Sequence, residues 1–189
     1  MSPNVETTGI VLAGGKGTRM GSVDKGLQAL RGRPMIEWVL ERLEPQVGEI
    51  IINANQNVET YERYGRRVVR DEIGGFAGPL AGLHAGLKAA KYPLVVTVPC
   101  DSPFLPGDLV SRLQKNLHGD LAVAKTGEQP HPVFALMKRE VRESLEAFLA
   151  SGGRKIDAWY AALKVVEVSF DDEADAFRNI NTLEELGRE

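Results

Sequence analysis

Apolar residues along this chain fall into two alternating patterns, short unbroken runs and stripes of helical spacing. Thr8-Gly9-Ile10-Val11-Leu12-Ala13 has no polar alternation and reads as a strand buried on both faces. From Pro34 to about Gln46 the period changes. Met35, Ile36, Val39, Leu40 and Leu43 form one helical stripe, with Pro34 suited to the first helical position. Strands are predicted at Glu49–Asn53 and, shorter, at Arg67–Arg70. A helix from Pro79 to about Ala90 carries Leu80, Leu83 and Leu87 on one face and Ala81, Gly82, Ala85, Gly86 and Ala89 on another. Small residues at those spacings allow close packing on a neighbour. A strand at Leu94–Val98 follows, then a helix near 106–117, strands near 121–125 and 132–137, and a helix near 139–150. A short amphipathic segment around 154–163, a strand near 164–170 and a helix from about Thr182 complete the series.

Strands alternating with helices at this spacing imply a mostly parallel sheet with helices on both faces. The close pair near 121–125 and 132–137 adds an antiparallel element. No linker, composition shift or repeat divides the 189 residues, a length that suits one domain. The expectation is a single Rossmann-like three-layer α/β domain over residues 1–189.

Composition narrows the function classes. The single cysteine, Cys100, excludes an internal disulfide and any cysteine-cluster metal site. No apolar stretch approaches ~18 residues, so no membrane helix is expected. The first residues lack the basic and apolar regions of a signal peptide, and the expected location is cytoplasmic. A net charge of −3 disfavours nucleic acid as a partner. Residues 16–33 run against that average: Lys16, Arg19, Lys25, Arg31 and Arg33 face one acid, Asp24. A basic, glycine-rich segment in an acidic chain points to a small anionic ligand.

The chemistry concentrates at the ends of the predicted strands. After the first strand comes Leu12-Ala13-Gly14-Gly15-Lys16-Gly17-Thr18-Arg19-Met20-Gly21, then Asp24-Lys25-Gly26. Glycines let backbone N–H groups approach an anion, and Lys and Arg neutralise phosphate charge. The dinucleotide motif G-x-G-x-x-G fails here, because Gly15-Lys16-Gly17 is followed by Thr18, Arg19 and Met20. The P-loop pattern fails too, because Lys25 precedes Gly26. Pro99-Cys100-Asp101-Ser102-Pro103 follows the strand at 94–98, so Asp101 would sit at the ligand edge of the sheet. One carboxylate with substrate phosphates is a common Mg²⁺ environment, although turn aspartates are also common. Cys100, with no histidine nearby in sequence, reads as an inert interior residue. Asn53-Ala54-Asn55 and Asp71 end two further strands at the same edge. Packing alone accounts for Gly86, whereas Gly78, before a helix N-terminus, could instead leave room for a flat base. His84 reads as a packed or surface residue, and the acidic run Asp171-Asp172-Glu173-Asp175 as a solvated loop. Asn179 and Asn181 alternate, so both would point to one side of an extended segment.

With those residues in place, the sequence resembles the molybdenum cofactor guanylyltransferases, nucleotidyltransferases of the glycosyltransferase-A-like (nucleotide-diphospho-sugar transferase) fold. The motifs that carry the resemblance are Leu-Ala-Gly-Gly-x-x-x-Arg-Met-Gly-x-x-Asp-Lys at 12–25, Asn-Ala-Asn at 53–55 and Gly-Pro-Leu-Ala-Gly at 78–82. Pro-Cys-Asp-x-Pro at 99–103 and Asn-x-Asn-Thr at 179–182 complete the set. The resemblance implies transfer of GMP from GTP to the terminal phosphate of molybdenum-molybdopterin, with pyrophosphate released and Mg²⁺ as cofactor. It implies a GTP site of Leu12, Ala13, Gly14, Gly15, Lys25, Asn53, Asp71, Gly78 and Asp101 in the N-terminal part. Lys25, Asp101 and Arg19 would act on the phosphates, with Asp101 also holding the metal. His131, Arg154, Asn179 and Asn181 would lie near molybdopterin in the C-terminal part. Transient contacts with proteins that deliver and accept the cofactor are expected from its lability, and neither nucleic acid nor membrane is. The rival readings are a cytidylyl or sugar-phosphate nucleotidyltransferase and a non-catalytic nucleotide-binding protein.

Overall fold

The computed structural model describes residues 4–15, 23–74, 78–178 and 180. Seven strands form one sheet in the order β5-β4-β1-β6-β8-β7-β9. They are β1 (Asn4–Leu12), β4 (Val47–Asn53), β5 (Arg67–Val69), β6 (Leu94–Pro99), β7 (Leu121–Thr126), β8 (Gln129–Lys138) and β9 (Val165–Ser169). Only β8 is antiparallel to its neighbours. A two-residue pair, β2 (Ala29–Leu30) with β3 (Arg33–Pro34), stands apart from the sheet. The helices are α1 (Met35–Leu43), α2 (Val58–Glu62), α3 (Pro79–Ala89), α4 (Leu109–Lys115), α5 (Val141–Ala150) and α6 (Ile156–Tyr160).

Unbroken apolar runs become central strands because side chains on both faces are buried. Along β1, Val11 joins the cluster under α1 and α4, while Ile10 joins the cluster under α3, α5 and α6. The alternation repeats in β6, with Val96 and Val98 on the first face and Val95 on the second. The small-residue face of α3 lies flat on the sheet. A Cβ at Gly86 would meet Ile10 Cδ1 at 2.3 Å, and one at Gly82 would meet Asn53 Oδ1 at 2.2 Å. Only glycine fits either position, so the two glycines set how near α3 comes to β1 and β4.

Several boundaries differ from the sequence expectation. β1 begins at Asn4, because backbone pairing to Val47 and Leu94 recruits polar residues that carry no strand signal. Helix α1 starts after Pro34, which is engaged with Ala29, and ends in a 3-10 turn at Glu44–Gln46. Helix α4 covers only the middle of the span predicted for it. The acidic run is a 3-10 segment, Asp171–Phe177, and not a loose loop. Arg112 pairs with Asp172, and Phe177 is buried against Phe134 and Phe170. The helix expected from Thr182 lies outside the described residues.

The chain runs β1 to β4 to β5 on one side, then returns to β6 and the remaining strands on the other. The direction therefore reverses beside β1, where adjacent strand ends leave a crevice in sheets of this kind. Leu12 is level there with Asn53 on one side and Pro99 on the other.

Candidate active site

At the carboxyl ends of β1, β4 and β5 a cleft of about 800 Å³ opens under the N-terminus of α3. Leu12, Gly14, Gly15, Asn53, Asp71 and Gly78 all line it. Six of the nine residues expected to bind nucleotide are thus brought to one cavity. Its remaining wall includes Asn55, Gln56, Glu72, Ile73, Gly74, Pro79 and Val133.

A network of amides fixes the wall. Asn53, 2% exposed, donates through Nδ2 to Asp71 Oδ1 at 2.8 Å. Asn55 donates to the Gly14 carbonyl at 3.2 Å and accepts from the Asp71 N–H at 2.9 Å. The Ala13 N–H donates to the Asn53 carbonyl at 2.8 Å. The ends of three strands are therefore joined by side chains as well as by the ladder. Gly14 has no room for a side chain, since a Cβ would lie 2.7 Å from Asn53 Oδ1 and 2.9 Å from Asn55 Nδ2. Gly78 has φ +54°, a conformation that glycine adopts without strain, and a Cβ there would meet nothing within 4 Å. That open space faces the cleft ahead of the α3 N-terminus, where unpaired backbone N–H groups favour anions.

The basic end of the site lies beside β6. Lys25 Nζ and Asp101 Oδ2 are 3.3 Å apart, with side chains 23% and 10% exposed. Asp101 stands two residues beyond Pro99, which lines the cleft, while Lys25 and Asp101 themselves do not line it. The Cys100 N–H bonds the Leu12 carbonyl at 3.2 Å, tying this strand end to the glycine loop. Burial holds the Asp101 carboxyl above the usual carboxylate range, and Lys25 offsets only part of that cost. A further cation at this carboxylate would offset more. Among the described residues no group of three or more His, Cys, Asp or Glu side chains converges on a metal position. A single carboxylate suits a hard cation that keeps water and shares substrate phosphate oxygens. Cys100 is buried and its thiol is pushed far up by that burial, as expected of an inert interior residue.

The residues expected near molybdopterin are placed differently. His131, at the start of β8, hydrogen-bonds Thr126 Oγ1 at 2.7 Å and stacks on Phe177 at 4.8 Å. Burial lowers its pKa by disfavouring the charged ring. Arg154 Nη1 caps the end of α5 by donating to the Leu149 and Gly153 carbonyls at 3.0 and 2.7 Å. Neither residue lines the cleft. Arg19, Asn179 and Asn181 lie outside the described residues. Ile180, which is described, donates its N–H to the Asp101 carbonyl at 2.9 Å. His84 is buried and bonds Glu146 of α5 at 3.1 Å, away from the site. Asn55 is the main wall residue that sequence reasoning left without a role; its alternation with Asn53 was the available signal.

Comparison with known proteins agrees with this geometry. The profile of the MobA-like NTP transferase domain matches residues 9–166. A molybdenum cofactor guanylyltransferase of Cupriavidus necator is 51% identical over 189 aligned residues, covering 96% of this chain and 94% of its own. One from Shewanella putrefaciens is 51% identical over 179 residues, covering 93% and 92%. Among solved structures, molybdopterin-guanine dinucleotide biosynthesis protein A of Archaeoglobus fulgidus superposes with a TM-score of 0.78. It is 28% identical, and the match covers 96% of this chain and 95% of that one.

Proposed function

The chain belongs to the MobA-like NTP transferase family, and on that premise we propose that it transfers GMP from GTP to the terminal phosphate of molybdenum-molybdopterin. It is a nucleotidyltransferase, and its full-length relatives carry the guanylyl specificity in their names. The observation that carries the reading is the arrangement at one sheet edge: a cleft walled by Gly14, Gly15, Asn53, Asp71 and Gly78 beside a Lys25–Asp101 pair. GTP would lie with its base toward Gly78 and Asp71 and its phosphates toward the glycine loop, Lys25 and Arg19. Leu12, Ala13 and Gly14 would form the floor beneath it.

In the reaction, an oxygen of the molybdopterin phosphate forms a bond to the α-phosphorus of GTP. The bond from that phosphorus to the β-phosphate bridging oxygen breaks, and pyrophosphate leaves in line. The nucleophile is already anionic, so no general base is assigned. Rate enhancement rests on alignment and on charge neutralisation by Lys25 and Arg19. The reaction class uses a divalent cation; Mg²⁺ is the ion we propose, held by Asp101, where it would neutralise phosphate charge. The C-terminal part, with His131, Arg154, Asn179 and Asn181, is proposed to face molybdopterin within the same single domain. Transient contacts with cofactor-delivering and cofactor-accepting proteins, and a cytoplasmic location, complete the proposal. No helix among the described residues is long and apolar enough to cross a membrane.

Titration calorimetry with GTP, CTP and ATP, each with Mg²⁺, tests the nucleotide half. GTP is expected to bind tightest, with the Mg²⁺ dependence lost in Asp101→Ala. Preference for CTP would keep the reaction class and overturn the substrate.

A further inference from the structure

Lys25 stands between Asp24 and Gly26, and both neighbours rest against the same buried side chain. Helix α2, in the crossover from β4 to β5, carries Tyr61, which is fully buried. Its hydroxyl donates to Asp24 Oδ1 at 2.5 Å. Asn57, the residue before α2, donates through Nδ2 to Asp24 Oδ2 at 3.1 Å. Its φ of +51° is a conformation that asparagine tolerates better than most residues. Both carboxylate oxygens of Asp24 are thereby engaged from one helix. On the other side of Lys25, a Cβ at Gly26 would come within 2.6 Å of Tyr61 Oη and 3.3 Å of Cys100 Cβ. The backbone at 26 therefore lies directly over the tyrosine oxygen. Burial, reinforced by Cys100 and Asp24, pushes the Tyr61 phenol up, so the group stays a donor.

We infer that Tyr61, assisted by Asn57, is a positioning residue that latches the 24–26 backbone so that Lys25 delivers its ammonium to the phosphates beside Asp101. The inference rests on the reading of Lys25 as a phosphate ligand. Lysine is a point charge on a flexible four-carbon stem, so its use in a transition state depends on where its Cα is held. Phenylalanine would fill the same space in the core. What the hydroxyl adds is a bond to the residue next to the working lysine. Without it, Asp24 loses a buried partner and the lysine's anchor loosens; displacements of about 1 Å cost up to ~100-fold in such sites.

The test is a double-mutant cycle of Tyr61→Phe and Lys25→Ala, read as kcat/KM for the nucleotide in the transfer reaction. Tyr61→Phe alone is expected to lower kcat by about tenfold or more, with a smaller change in KM. In the Lys25→Ala background the same substitution is expected to cost less than about twofold, because the residue it positions is gone. Asp24→Asn, which keeps an acceptor for the hydroxyl, is expected to retain more activity than Asp24→Ala. Equal losses from Tyr61→Phe in both backgrounds, or no loss in the wild-type background, would overturn the latch. If the wild-type chain transferred a different nucleotide, the guanylyl reading would fall, and the same cycle on that nucleotide would still decide the latch.

Discussion

Replacing Gly82 with alanine puts a methyl group where the Asn53 side chain already lies. The added Cβ would stand 2.2 Å from Asn53 Oδ1, 2.7 Å from its Cγ and 3.1 Å from Leu12 Cδ2. Helix α3 cannot retreat easily, because the same face is seated on β1 through Gly86 and Ile10. The Asn53 amide must turn, and its 2.8 Å bond to Asp71 breaks. A hydrogen bond to a charged group is worth about 1.5–3 kcal/mol, and overpacking costs about 1–3 kcal/mol. Alanine returns about 1 kcal/mol of helix propensity. The net expectation is a loss of roughly 1.5–5 kcal/mol, and a melting temperature lowered by roughly 3–20 °C in a protein of this size. Because Asp71 lines the cleft proposed to hold the nucleotide, GTP affinity measured by calorimetry should also fall, by about tenfold for each 1.4 kcal/mol lost at that wall. Gly86→Ala is the control. Its Cβ would strike Ile10 Cδ1 at 2.3 Å, so it too should destabilise, yet it touches neither Asn53 nor Asp71. Its GTP affinity is expected to stay within about threefold of wild type. Wild-type affinity in folded Gly82→Ala, or an equal loss of affinity in both variants, would refute the link between the Asn53–Asp71 bond beneath α3 and the site.

Two further outcomes follow from buried groups. Burial raises the Asp101 carboxyl despite Lys25. Below the ordinary carboxylate range the group is protonated in both folded and unfolded chains and favours neither. As pH rises from the ordinary carboxylate range through its raised folded-state value, the unfolded chain gives up the proton while the folded chain must keep it or bury the charge, and stability is lost across that interval. Asp101→Asn is therefore expected to melt higher than wild type at neutral pH, with the gain vanishing in acid, while turnover is abolished. A lower melting temperature at neutral pH would show that the Lys25 pair outweighs burial. Cys100 is 7% exposed and its thiol is pushed up by burial, so a thiol reagent should label it only as the protein unfolds. Fast stoichiometric labelling of the native protein would contradict the packing around it.

The central strands and the site edge were legible because their signals are local. Ile10-Val11-Leu12 and Val95-Val96-Thr97-Val98 can be buried on both faces only in a covered sheet, and the polar residues that follow each run necessarily fall at its end. The small-residue face of α3 likewise announced close packing. What escaped the sequence depends on partners far along the chain. Helix α2 has a single buried aromatic, Tyr61, and no stripe, so nothing marks it until Asp24 is seen 2.5 Å away. The turn between β2 and β3 places Arg31 at φ +52°, which a non-glycine residue gives no reason to expect. Asp171–Phe177 reads as solvated because its order comes from Arg112 and an aromatic cluster more than forty residues distant. The alternation of Asn55 with Asn53 was a local signal, but its role depends on distant partners, Gly14 and Asp71.

The most direct measurement follows the label. Incubated with molybdopterin, Mg²⁺ and GTP labelled at the α-phosphate, the protein is expected to place the label in a pterin–guanine dinucleotide. With the label at the γ-phosphate it should appear in pyrophosphate. Label retained in GTP, released as GMP without reaching the pterin, or transferred only when CTP replaces GTP would contradict guanylyl transfer.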